Sequence, residues 1–120
     1  MKALVIFCDD DSHPLSFMLR KGFRHCFVCL EDNGLWFLLD GGPGVPRIKY
    51  LTTSDFDLIK FYRDQGMTVI ETSQRDKPVL SPFILRNCTG MVKAVLCIRS
   101  LSVTPYQLYQ FLRSKHVTWI

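Results

Sequence analysis

Three side chains in this 120-residue sequence, Cys88, His25 and Asp40, are of the types that nucleophilic acyl transfer requires. Cysteine attacks a carbonyl as its thiolate, which forms readily where positive charge or unpaired N–H groups face the sulfur. Cys88 follows Asn87, a residue type that caps helix N-termini, so a helix opening there places the cysteine in its first turn. In that turn the N–H groups of Cys88 and Thr89 have no partner inside the helix, and the helix dipole favours negative charge. Those N–H groups also suit an oxyanion growing on the attacked carbonyl, and Gly90 adds no side chain to crowd a substrate.

A general base must then lie within reach, and a third group must hold it. His25 and Asp40 flank Asn33-Gly34, a pair that tolerates the positive φ angles of a two-residue type I′ hairpin. With that turn Asp32 faces Leu35 and Phe27 faces Asp40, so residues 25, 27 and 40 share one face of the hairpin. A carboxylate there can accept the imidazole N–H and fix the tautomer that presents the other nitrogen to a thiol. A three-residue loop would separate the two side chains.

These residues need elements to position them. Lys2 to Cys8 is a continuous apolar run that reads as a buried strand, ending in Asp9, Asp10 and Asp11. Pro14 opens a short helix, Leu15 to Lys21, closed by Gly22. Phe23 to Leu30, Leu35 to Asp40 and Val45 to Leu51 form a three-stranded meander, with Gly41, Gly42, Pro43 and Gly44 as a loop. Ser54 and Asp57 resemble a capping box for a helix bearing Phe56, Ile59 and Tyr62 and stopping at Gly66; a strand, Met67 to Thr72, follows. After a polar stretch containing Pro78 and Pro82, the Cys88 to Ile98 segment places Cys88, Met91, Val92 and Val95 on one helix face. Thr104, Pro105 and Gln107 start a last helix as N-cap, first residue and capping-box partner. The expected fold is α+β: a small antiparallel β-meander packed against helices in one domain, residues 1–120.

Other readings of the same residues remain open. Cys88 on an apolar helix face also fits an ordinary core thiol, and Phe23, Phe27 and Cys29 share the face of His25 and could simply enclose it. Cys26 and Cys29 have the spacing of half a zinc site, but residues three apart in a strand point to opposite faces, and no second pair follows. Three consecutive aspartates suit a hard cation, or a solvated loop that caps the next helix. Neither a metal nor a cofactor is expected. Cys8 and Cys97 read as core thiols, His13 and His116 as surface residues. Trp36, Phe37, Trp119 and Ile120 read as core or edge, although a partly exposed tryptophan beside the site would suit a hydrophobic substrate or partner.

Composition bounds the classes. The chain is 48% hydrophobic, enough for one core without disulfides or metal. Its net charge of +4 comes from scattered basic residues, with Arg20, Lys21 and Arg24 the nearest to a cluster, so there is no strong nucleic-acid signal. The first apolar run is too short for a signal-peptide core or a membrane span, and five cysteines, an odd count, read as free thiols. A cytoplasmic protein is expected. Tyr106, Tyr109 and Phe111 spread aromatic surface around the last helix, which hints at a protein partner.

The order of parts, a strand histidine, a polar residue on the next strand and a later helix opened by cysteine, resembles the circularly permuted branch of the papain-like superfamily. This is the NlpC-type group that includes relatives of lecithin retinol acyltransferase. Gly22 to Val28 and Asn87 to Leu96 carry the likeness, which spans residues 22 to 98 and extends to small proteins of bacteria and their phages. The resemblance implies a cysteine hydrolase or acyltransferase acting on an amide, peptide or ester carbonyl. Cys88 would be nucleophile, His25 base and Asp40 the third polar group, a position at which the family varies. It also implies a peptide-like or acyl substrate and, for a phage-encoded member, a place in the host cytoplasm or the virion. The alternative is a catalytically silent papain-like binding or virion-associated structural protein.

Overall fold

The computed structural model describes residues 2–9, 20–41, 47–74, 88–96 and 104–115. Five strands, β1 (Lys2–Cys8), β2 (His25–Asp32), β3 (Leu35–Asp40), β4 (Arg47–Thr53) and β5 (Thr68–Ser73), are accompanied by helices α1 (Leu58–Asp64), α2 (Cys88–Leu96) and α3 (Pro105–Lys115). The strands form one sheet in the order β4-β3-β2-β1-β5, every neighbouring pair antiparallel. The fold is α+β, and β2, β3 and β4 make the expected meander. No helix among the described residues is long and apolar enough to cross a membrane.

Both faces of the sheet are covered, which explains why β1 reads as an unbroken apolar run rather than an alternating one. Ala3, Val5, Phe7, Cys26, Val28 and Leu30 face Val92 and Leu96 of α2 and Leu108 and Leu112 of α3. The alternate residues Leu4, Ile6, Phe27, Cys29 and Trp36 pack with Leu58 and Tyr62 of α1 and Val69 of β5. Trp36, at 3% exposure, belongs to this second core and offers no surface beside the site.

The β2–β3 turn has the expected form: Asn33 and Gly34 adopt φ of 53° and 77°, and Asp32 pairs with Leu35. The α3 cap is reciprocal, with Gln107 N–H donating to Thr104 Oγ1 and Thr104 N–H to Gln107 Oε1, both at 3.3 Å. Other boundaries differ. Asp57, not Ser54, caps α1, its Oδ1 accepting from the Lys60 N–H at 3.1 Å, while the Ser54 N–H is bound to the Gly34 carbonyl. β2 begins at His25, because the Phe23 N–H turns back to the Arg20 carbonyl. Phe23 therefore escapes the strand alternation and stacks on Phe7 and Tyr109, on the α3 side of the sheet, instead of enclosing His25. β5 starts one residue later than expected, and the first two residues of the expected third meander strand, Val45 and Pro46, fall outside the described residues. The expected helix over Leu15 to Lys21 and the Asn87 cap, together with Asp10, Asp11, His13, Cys97, His116, Trp119 and Ile120, fall outside the described residues wholly or in large part.

Candidate active site

Antiparallel pairing sets the place of each candidate. Cys8, the last residue of β1, pairs with His25, the first of β2, and Asp40, the last of β3, pairs with Arg47, the first of β4. His25 and Asp40 thus lie at one end of the sheet. The register Val28 to Leu39 puts Phe27 opposite Asp40 and leaves His25 one diagonal step away on the same face. The side chains close that gap: His25 Nε2 and Asp40 Oδ1 are 2.9 Å apart, with the histidine buried and the carboxylate half-buried.

The approach to His25 is clamped from the sequence before it. Gly22, at a φ of 87° that L side chains rarely adopt, donates its N–H to Asp9 Oδ1 at 2.6 Å, and the Arg24 N–H donates to the Cys8 carbonyl at 3.0 Å. Arg24 Nε also lies 3.9 Å from Asp9 Oδ1. Asp9 therefore ties the entry of β2 to the end of β1. No group of three or more His, Cys, Asp or Glu side chains among the described residues is arranged to hold a metal ion, and Cys26 and Cys29 sit in different cores.

Cys88 is the first residue of α2 and packs, half-buried, against the core that contains Cys26. The groups that act on its thiol are the Cys26 side chain, His25 and the Cys26 backbone N–H. His25 occupies the last rung of the β1–β2 ladder, so a thiol on the α2 side can meet its ring around the end of the sheet.

The electrostatics follow from these contacts. The Cys26 hydrogen bond is the largest influence on the Cys88 thiol. Burial opposes it, and the His25 hydrogen bond, the Cys26 N–H and the imidazolium charge add to it, bringing the thiol down to about 4. Burial alone would lower His25, but the Asp40 hydrogen bond, the Cys88 hydrogen bond and the two negative charges outweigh it and push it up to about 10. Cys88 and His25 thus form a thiolate–imidazolium pair across neutral pH, with Asp40 behind the ring.

All three expected residues are brought together, and Thr89 follows Cys88 in the first turn, its side chain fully buried. Cys26 was missed as a member of the site, having been weighed only for zinc. Strand parity held the signal: it opposes His25 in β2 and so faces whichever helix covers that side. Tyr106 and Tyr109 of α3 are partly buried and stack on Phe23.

The chain matches no known family model, no curated protein and no solved structure.

Proposed function

We propose that the chain is a cysteine hydrolase or acyltransferase of the permuted papain-like kind, acting on an amide, peptide or ester carbonyl. The observation that carries this reading is the continuous chain from Cys88 sulfur through the His25 ring to the Asp40 carboxylate, with His25 Nε2 and Asp40 Oδ1 2.9 Å apart. The Cys88 thiolate adds to the carbonyl carbon, and the oxyanion meets the N–H groups of the first turn of α2, those of Cys88 and Thr89 among them, which have no partner within the helix. As the tetrahedral species collapses, the His25 imidazolium gives its proton to the leaving nitrogen or oxygen, and a thioester remains on Cys88. His25, now neutral, takes a proton from water or another acceptor as that oxygen or nitrogen attacks the thioester. Loss of the acyl group restores the thiolate–imidazolium pair. Asp40 keeps the imidazole in one orientation throughout and stabilises its charge.

A small bacterial or phage-encoded member of the family is the source this reading favours, with a peptide-like or acyl group as substrate. The test is acylation by an activated ester such as p-nitrophenyl acetate, followed by peptide mapping. An acetyl adduct on Cys88 that is lost in Cys88→Ser and weakened in His25→Ala supports turnover. Ester cleavage equal in all three proteins would end the enzyme reading.

A further inference from the structure

We propose that Cys26 is a positioning residue for the nucleophile: its S–H, steadied by the Thr89 hydroxyl, donates to the Cys88 sulfur and fixes it as a thiolate at the start of α2. This rests on the reading of Cys88 as nucleophile given above.

Three observations converge on Cys26. It is fully buried at 0% exposure, in the second position of β2 and on the face that α2 covers, so its thiol cannot be satisfied by bulk water. Its Sγ lies 3.9 Å from Thr89 Oγ1, itself fully buried and one residue beyond Cys88. A buried hydroxyl needs a partner, and sulfur is a long, weak one that tolerates this distance. Finally, Cys88 packs against the core that holds Cys26, and the Cys26 side chain and backbone N–H are among the groups that lower the Cys88 thiol. One residue thus offers the nucleophile two donors besides His25.

The direction of the chain follows from where the protons reside. Burial, the Cys88 hydrogen bond and the nearby Cys88 charge hold Cys26 well above the usual thiol range, so it keeps its proton. Cys88 lacks one, and so can only accept. Cys26 has one proton to give and gives it to Cys88; its own lone pairs then accept from Thr89 O–H. The order is Thr89 O–H to Cys26 S–H to Cys88 S⁻, with no net transfer of charge. A valine or alanine at position 26 would fill the core but break this order, leaving His25 as the side-chain donor.

Iodoacetamide alkylation of Cys88 as a function of pH reads this directly and requires no turnover. Removing a hydrogen bond to a charged group shifts an ionisation by about one pH unit. In Cys26→Ala the acid limb of Cys88 reactivity is expected to move up by at least that much, with alkylation about tenfold slower on the limb. Cys26→Ser, which restores an O–H donor of similar size, is expected to return the limb to the wild-type position. Thr89→Val, close in volume, is expected to move it in the same direction as Cys26→Ala by less, and serves if Cys26→Ala does not fold. A Cys26→Ala profile that superimposes on wild type, a Cys26→Ser profile as displaced as that of the alanine variant, or, where Thr89→Val stands in, an unmoved limb overturns the inference. His25→Ala separates the two ideas: if it leaves the limb unmoved, the nucleophile–base reading fails, whereas a limb that moves with His25 but not with Cys26 or Thr89 defeats only the role given to them.

Discussion

Cys29, on the α1 side of the sheet, and Cys88, at the end of the α2 side, are both largely withdrawn from water, yet their chemistry diverges. Cys29 lies among Leu4, Ile6, Phe27 and Trp36, and burial pushes its thiol up to about 12; a hydrogen bond from the Tyr62 hydroxyl only partly offsets this. Cys88 suffers the same desolvation but accepts from Cys26 and His25 and faces the imidazolium charge, and its thiol falls to about 4. Burial therefore sets the cost of a thiolate, while the donors and charges that share the burial decide whether one forms. Within β2, a cysteine that serves the site and one that fills a core stand three positions apart.

The largest expected consequence is selectivity. With limiting iodoacetamide at mildly acidic pH, label should enter Cys88 at least about 1,000-fold faster than Cys29, since the thiolate is the reacting species. Peptide mapping at partial modification measures this, and label arriving first on Cys29 or Cys8 would erase the contrast. Next in size is His25→Ala, expected to lower any acyl transfer by about 10²- to 10⁴-fold, the usual worth of a general acid–base residue. Equal turnover in the variant would mean that His25 is a packing residue. Asp40→Asn keeps the side-chain shape and removes the charge behind the ring. Its expected cost is about 10- to 100-fold in turnover, equivalent to one hydrogen bond to a charged group. The alkaline limb of the pH profile should also move down, because the imidazolium loses a carboxylate at 2.9 Å; an unmoved limb would count against its role.

The parts of this contrast differ in how far the chain itself disclosed them. Asn33-Gly34 specifies its turn locally, and once the turn has two residues, parity alone places His25 and Asp40 on one face. Position 88 at a helix start was legible for the same reason. The face on which α2 packs was not, because it depends on contacts between segments more than sixty residues apart, as in the Cys26–Thr89 pair with a separation of 63. Phe23 shows the opposite failure: apolar alternation runs through it, but a backbone turn at Arg20 stops the strand two residues short. Ser54 and Asp57 are both good capping residues, and the Gly34 carbonyl decided between them by engaging the Ser54 N–H.

The ion pair also predicts how stability depends on pH. Folding removes the proton of Cys88, whose ordinary value is 9.0, between about pH 4 and 9. It retains the proton of His25, whose ordinary value is 6.5, between 6.5 and about 10. From about 4 to 6.5 the unfolded chain holds one proton more, so stability rises with pH. From 6.5 to 9 the two terms cancel; from 9 to about 10 the folded chain holds one more, and stability falls. The midpoint of wild type minus that of a Cys88→Ala, His25→Ala double variant should trace this rise, plateau and fall. A difference that changes monotonically from pH 4 to 10 would show that the pair does not form.

The smallest expected effect tests the other side of the comparison. Tyr62→Phe removes the hydroxyl that bonds Cys29 while leaving the ring against Phe27, at 5.5 Å between centroids. Its cost should be about 1 kcal/mol, the net worth of one hydrogen bond, visible as a small fall in the unfolding midpoint. The Cys29 thiol should rise further, because the donor that lowered it is gone. Cys88 alkylation should keep its wild-type pH profile, since Tyr62 is not among the groups that act on its sulfur. A shift in that profile would mean that the two faces communicate through β2. Cys26 and Cys29 would then be parts of one electrostatic system, and the separation by strand parity on which the contrast depends would be lost.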